Sequence, residues 1–130
     1  MVQTLGQTWE KYHNQGFQIF AFPCNQFYQQ EPRANNEIHE WAKVTYDVKF
    51  PMFAKGDVNG DDAHDFYKWM KFNAGGWTSK TCELSDIGWN FGKFLVDKDG
   101  LVVNYYGPHS WHSTIEKDIA KLVKTETILQ

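Results

Sequence analysis

Apolar residues along the chain follow two periods. Val2, Leu5, Trp9 and Tyr12 recur at spacings of three and four, which predicts an amphipathic helix from Val2 to His13, stopped by Asn14 and Gly16. Phe17, Ile19, Phe20, Ala21 and Phe22 then run together, broken only by Gln18. A run of this kind between Gly16 and Pro23 predicts a strand covered on both faces, and Pro23 ends it because proline has no N–H for a ladder. The helical period returns in Glu37 to Tyr46, through Ile38, Trp41, Ala42 and Thr45, with Asn35 or Asn36 as cap. Phe50 to Phe53 reads as a short extended piece around Pro51. Asp62 to Lys71 reads as a third helix with Phe66, Trp69 and Met70 inward. Asn73 to Asp86, with Gly75 and Gly76, is a polar loop. Phe91 to Val96 and Leu101 to Tyr105 alternate as two strands, joined by Asp97-Lys98-Asp99-Gly100 into an antiparallel hairpin. Ser113 to Val123 closes the chain as a helix capped by Ser113 and Thr114, and Lys124 to Gln130 is expected to fray. The order is α, β, α, extended piece, α, hairpin, α, which predicts one α/β domain over residues 1–130.

Composition narrows the class. Hydrophobic residues are 42% and aromatics 17%, including ten Phe and six Trp, so a packed core is expected rather than disorder. The formal charge is −3 without any block of like charge, which argues against nucleic acid as a partner. No apolar run approaches the roughly 18 residues that a membrane span needs. The opening residues lack the basic region and apolar core of a secretory signal. Cys24 and Cys82 do not make a disulfide framework, so a reducing intracellular compartment is expected, either cytoplasm or mitochondrion.

The candidate chemistry begins just after the first strand. Asn25, Gln26, Gln29 and Gln30 place four primary amides in six residues, interleaved with Phe27 and Tyr28. Amides donate and accept without ionising. Beyond the C-terminal end of a parallel strand they sit where open α/β sheets put ligand crevices. The competing reading is that they tie down an awkward loop. His109 and His112 flank Trp111 without an evident third ligand, and Asp57, Asp61 and Asp62 lack the remaining spacing of a calcium loop, so no metal site is expected. His13, His39 and His64 read as solvated. Trp77, beside a glycine pair, reads as an exposed partner-contact residue.

Three pieces carry a family resemblance: FPCNQFYQQEP from Phe22 to Pro32, VKFPMFAKGDVNGDDAH from Val48 to His64, and WNFGKFLVDKDGLVV from Trp89 to Val103. Together they resemble the glutathione peroxidase family, with similarity from about Leu5 to Leu122. The resemblance implies a thioredoxin-like domain, a mixed sheet flanked by helices. It also implies thiol-dependent reduction of hydrogen peroxide or lipid hydroperoxides, with glutathione as co-substrate and no resident cofactor. The family's site is a cysteine or selenocysteine nucleophile surrounded by a glutamine, a tryptophan and an asparagine. By the resemblance these last three are Gln30, Trp89 and Asn90. The types suit the reaction: a thiolate attacks one peroxide oxygen, and the departing oxygen needs hydrogen bonds and a proton.

The chain also departs from the family pattern. The family's nucleophile lies about thirty-five residues before the glutamine, which places it upstream of Met1. The family's first strands are absent with it, including the central strand expected between Phe17–Phe22 and the hairpin. Cys24 corresponds to a family cysteine that is not the nucleophile and reads as a small buried hydrophobe. Lys43 stands where thioredoxin-dependent members have a resolving cysteine. Asn104 and Tyr105 replace a basic pair near the glutathione carboxylates, and Gly88 replaces a lysine before the tryptophan. The expectation is a non-catalytic subunit or interaction module, contacting a protein partner near the vacant strand position. The alternative is an active thiol peroxidase whose nucleophile lies upstream of Met1. The loop Asn73–Asp86 is too short to build a homotetramer.

Overall fold

The structure is a computed structural model; it describes residues 2–74, 77–78, 83–84, 86–108 and 112–129. Helix α1 spans Val2–Tyr12 and tightens into a 3-10 turn over His13–Gln15. Gly16, at φ 91°, ends it in the left-handed region that glycine enters without cost. Helices α2 (Asn35–Tyr46), α3 (Asp65–Asn73) and α4 (His112–Leu129) follow, with ladders β1 (Trp77–Thr78), β2 (Glu83–Leu84), β3 (Lys93–Val96) and β4 (Val102–Tyr106) between the last two helices. β1 pairs with β2 and β3 with β4, both antiparallel.

The β3–β4 hairpin divides two apolar cores, because successive residues of a strand face opposite sides. Leu95 points into the larger core with Tyr12, Tyr106, Ile115, Ile119 and Val123, against which Phe17 also packs. Phe94 faces the smaller core of Phe27, Val58 and Ile87, where Cys24, Tyr67 and Trp89 also pack. Ile38 of α2 is 2% exposed, and burial of a side chain that size is worth about 1.5–3 kcal/mol. Tyr12 and Lys11 both reach Glu116 of α4, so α1 and α4 are tied as well as packed.

Several expectations from the sequence are corrected. Phe17–Phe22 is not a regular strand. Its sheet pairing is a single parallel bridge, in which Ala21 N–H donates to the Pro51 carbonyl and the Ala21 carbonyl accepts from Phe53 N–H. The reason is a shortage of partners. Phe20 and Phe22 present their N–H and C=O groups to the opposite edge, which is unpaired among the described residues. The hairpin does not come across to it. On α3, Met70 is buried but Phe66 and Trp69 are exposed, forming an aromatic surface with Phe22 and Phe53 rather than core. Trp41 is also exposed and stacks under the Arg33 guanidinium.

The caps differ too. Ala34 is the N-cap of α2, its N–H bound by the Glu37 carboxylate. The Asn35 side chain instead accepts from Lys55 N–H at 2.7 Å. His64 caps α3, accepting from Phe66 N–H through Nδ1. Helix α4 begins at His112, which places Ser113 and Thr114 inside its first turn, and its backbone continues to Leu129 instead of fraying after Val123. The polar loop after α3 contains the β1–β2 ladder. Cys82, His109 and Trp111 lie outside the described residues, as do the side chains of Trp77 and His112. No helix among the described residues is long and apolar enough to cross a membrane.

Candidate functional site

Two loops build the site. The first leaves the bridge at Ala21 and turns through Phe27 to Gln30, with Gln30 N–H donating to the Phe27 carbonyl at 3.3 Å. The second runs from Asp86 to Phe91 and leads into β3. Among the described residues, four non-glycine positions have positive φ, and three of them belong to these loops: Tyr28 at 51°, Gln29 at 52° and Phe91 at 65°. The left-handed region costs a non-glycine residue energy, and such residues persist where surrounding contacts hold them. Here the strain is concentrated beside the residues that meet.

Across the two loops, Asn90 Nδ2 donates to Gln30 Oε1 at 2.8 Å. Trp89 sets its ring edge-on to Tyr28, centroids 5.1 Å apart, and tilts against Phe27 at 5.9 Å. Gln30, Trp89 and Asn90, separated by some sixty positions, therefore converge. The amide–amide bond fixes both groups. With Oε1 turned to Asn90, the Gln30 side chain keeps its two N–H donors for other contacts, and Asn90 keeps one N–H. The Trp89 indole is a donor only, and neither it nor the Gln30 amide nitrogen has a hydrogen-bond partner among the described residues. The arrangement is a half-exposed pair of neutral amides beside the aromatic surface of Tyr28 and Trp89.

The amide-rich loop splits between the two readings of its sequence. Asn25 and Gln26 tie the loop down: Asn25 Oδ1 accepts from Glu31 N–H, while Gln26 Oε1 accepts from Val58 N–H and Asn59 N–H. Gln30 alone of the four reaches across to the second loop. Cys24 is half-buried rather than buried, with Sγ donating to Gln26 Oε1 and accepting from Gln26 N–H, both at 3.4 Å. Lys43 is exposed on α2, and Asn104 is exposed on β4. Tyr105 packs on Phe94, and burial pushes its hydroxyl upward from the ordinary tyrosine range. Among the described residues no three His, Cys, Asp or Glu side chains cluster as metal ligands would.

The sequence reading missed Asn59 and Lys71. Lys71 is 4% exposed, and its ammonium donates to Asn59 Oδ1 at 2.8 Å. Burial holds its pKa below the ordinary lysine range, opposed by the charge of Asp86. A lysine on a nine-residue helix gives no sequence signal of this, because its apolar neighbours set the helical stripe and it reads as solvated.

Comparison with known proteins shows the family. Residues 2–71 match the family model described as glutathione peroxidase. A probable phospholipid hydroperoxide glutathione peroxidase of Citrus sinensis is 50% identical over 121 residues, covering 93% of this chain and 70% of the relative. Putative glutathione peroxidase 7, chloroplastic, of Arabidopsis thaliana is 52% identical over 120 residues, covering 92% of this chain and 49% of the relative. The chain thus spans between 49% and 70% of the length of these curated relatives. The crystal structure of T. cruzi GPX1 superposes with a TM-score of 0.67 at 34% identity, over 94% of this chain and 70% of that one.

Proposed function

The chain belongs to the glutathione peroxidase family, whose thioredoxin-like fold it shares, and on that premise we propose that it forms the peroxide-binding half of a thiol-dependent hydroperoxide reductase. The observation that carries this is the bond between Asn90 and Gln30, which holds two loops together with Trp89 beside them. In the reaction a thiolate attacks one peroxide oxygen, the O–O bond breaks, and the sulfur becomes a sulfenic acid that thiols reduce. The departing oxygen leaves with its electron pair and needs donors. Trp89 Nε1, the second Asn90 N–H and the Gln30 amide nitrogen supply them, and none of the three can deprotonate to compete for the incoming proton. Cys24 is bound up with Gln26 and does not serve as the nucleophile. The thiolate comes to this patch from outside the described residues. The lipid hydroperoxide named for the Citrus relative is the substrate class proposed, in a reducing compartment inside the cell.

A second reading is favoured by the open edge at Phe20 and Phe22. Tyr67 touches both Phe22 and Phe94, with ring centroids 5.0 and 6.2 Å away, so one side chain of α3 packs on both the open-edge segment and the hairpin. A strand from a protein partner entering there would make the chain a non-catalytic subunit, by β-augmentation. In that reading assembly runs through the strand position and not through the loop Asn73–Asp86.

The two readings separate on one experiment. The native protein is assayed for thiol-dependent reduction of phospholipid hydroperoxide and of hydrogen peroxide, beside Asn90→Ala and Trp89→Phe. The first reading expects turnover in the native protein and a fall of about a hundredfold on losing one donor. No turnover in the native protein overturns it in favour of the second.

A further inference from the structure

Beneath the converging loops lies a polar clamp. Ile87, two residues before Trp89, is held by both of its backbone groups. Its N–H donates to Asn59 Oδ1 at 2.7 Å, and its carbonyl accepts from Asn59 Nδ2 at 2.9 Å. One side-chain amide thus does for Ile87 what a neighbouring strand would do, on a segment that belongs to neither ladder.

Asn59 is held in turn from two sides. Gln26 grips its backbone, with Oε1 accepting from Val58 N–H at 2.8 Å and Asn59 N–H at 3.0 Å while Nε2 donates to the Asn59 carbonyl at 2.9 Å. The buried Lys71 ammonium donates to Asn59 Oδ1 at 2.8 Å. A flipped Asn59 amide would set its NH2 against two donors, Lys71 and Ile87 N–H, so the orientation aimed at Ile87 is the satisfied one. The side chains around the clamp are apolar: Val58, Phe27 and Ile87 form one buried cluster, and Phe27 also touches Trp89. After Ile87 comes Gly88, where an added Cβ would meet nothing within 4 Å. Among the described residues the Ile87 backbone bonds are the last before Trp89.

We propose that Asn59 is a positioning residue for Trp89 and Asn90, acting through the backbone of Ile87, with Lys71 and Gln26 fixing Asn59 itself. The inference rests on the reading of Trp89 and Asn90 as peroxide-site donors, but its test reads position and not turnover.

The test compares the full 130-residue chain with Asn59→Ala and Asn59→Asp by NMR. Three signals are followed: amide exchange at Ile87, the Trp89 indole N–H, and the Asn90 carboxamide, with Ile38 in α2 as the control. In Asn59→Ala the Ile87 amide is expected to exchange about tenfold faster, and the Trp89 and Asn90 signals to move, while Ile38 keeps its protection. Asn59→Asp keeps acceptors for Ile87 N–H and Lys71 but loses the donor to the Ile87 carbonyl. It is expected to keep Ile87 protected and to move Trp89 and Asn90 less, in the same direction. That graded order is not produced by general destabilisation, which would raise exchange at Ile38 as well. Trp89 and Asn90 signals unchanged from the native chain in a folded variant overturn the proposal, and Asn59→Asp decides alone if Asn59→Ala does not fold. Absence of peroxide turnover in the native protein would end the functional reading while leaving these displacements as a result in their own right.

Discussion

Asn90 donates to Gln30 across sixty positions of sequence, at 2.8 Å, and this bond joins the two loops of the site. It is a neutral amide pair with Gln30 on the exposed side, so its net worth is modest. A double-mutant cycle on Gln30→Ala and Asn90→Ala is expected to give a coupling of about 0.5–1 kcal/mol in chemical unfolding. Additivity within error would mean that the bond is not formed in solution.

Cys24→Ser tests the assignment of the sulfur. Cys24 bonds only within its own loop, and a serine hydroxyl can repeat the contact to Gln26. Peroxide-dependent thiol oxidation by the native protein is expected to be unchanged by the substitution. Oxidation that is present and vanishes in Cys24→Ser would make Cys24 the nucleophile.

Gly92 is a steric requirement of the hairpin entrance. A Cβ there would lie 2.8 Å from Ile87 Cγ2 and 2.9 Å from the Tyr105 hydroxyl oxygen. Tyr105 can swing its ring, whereas Ile87 is clamped and packed, so Gly92→Ala is expected to displace the Ile87 loop. The expected cost is about 1–3 kcal/mol in thermal or chemical unfolding, typical of an overpacked site. A variant as stable as the parent would show that the loop yields freely.

Tyr106 gives the chain a pH dependence at the alkaline end. It is 4% exposed and donates its hydroxyl to Asp118. Burial first, and then the Asp118 carboxylate, push its pKa up to about 12. A raised pKa means that the folded state holds the proton more tightly than the unfolded chain, whose tyrosine titrates near 10. The contribution is complete below about pH 10 and is lost as pH rises toward 12. Urea midpoints measured from pH 9 to pH 11.5 are expected to fall for the parent and to fall less steeply for Tyr106→Phe. The same slope in both would remove Tyr106 as the cause.

The sequence determined a good deal by itself. Periods of three and four located α1, α2 and α3, and alternation with a turn at Asp97–Gly100 located the β3–β4 hairpin, because these elements are set by neighbours in the chain. The short phrases around Phe22, Val48 and Trp89 were enough to name the family and to single out Gln30, Trp89 and Asn90. What the tertiary structure decided were the relations that no local period encodes. The apolar run Phe17–Phe22 reads as a strand, yet a strand is a set of bonds to neighbours, and among the described residues only Met52 pairs with it, at Ala21. Phe66 and Trp69 share a helical stripe with Met70, but whether a stripe is buried depends on what lies opposite, and here Met70 alone is covered. The clamp of Gln26, Asn59, Lys71 and Ile87 draws on four separate stretches. Each residue reads locally as loop or solvated helix, and only packing brings a buried ammonium and two amides onto one backbone segment, where burial makes every unmade hydrogen bond costly.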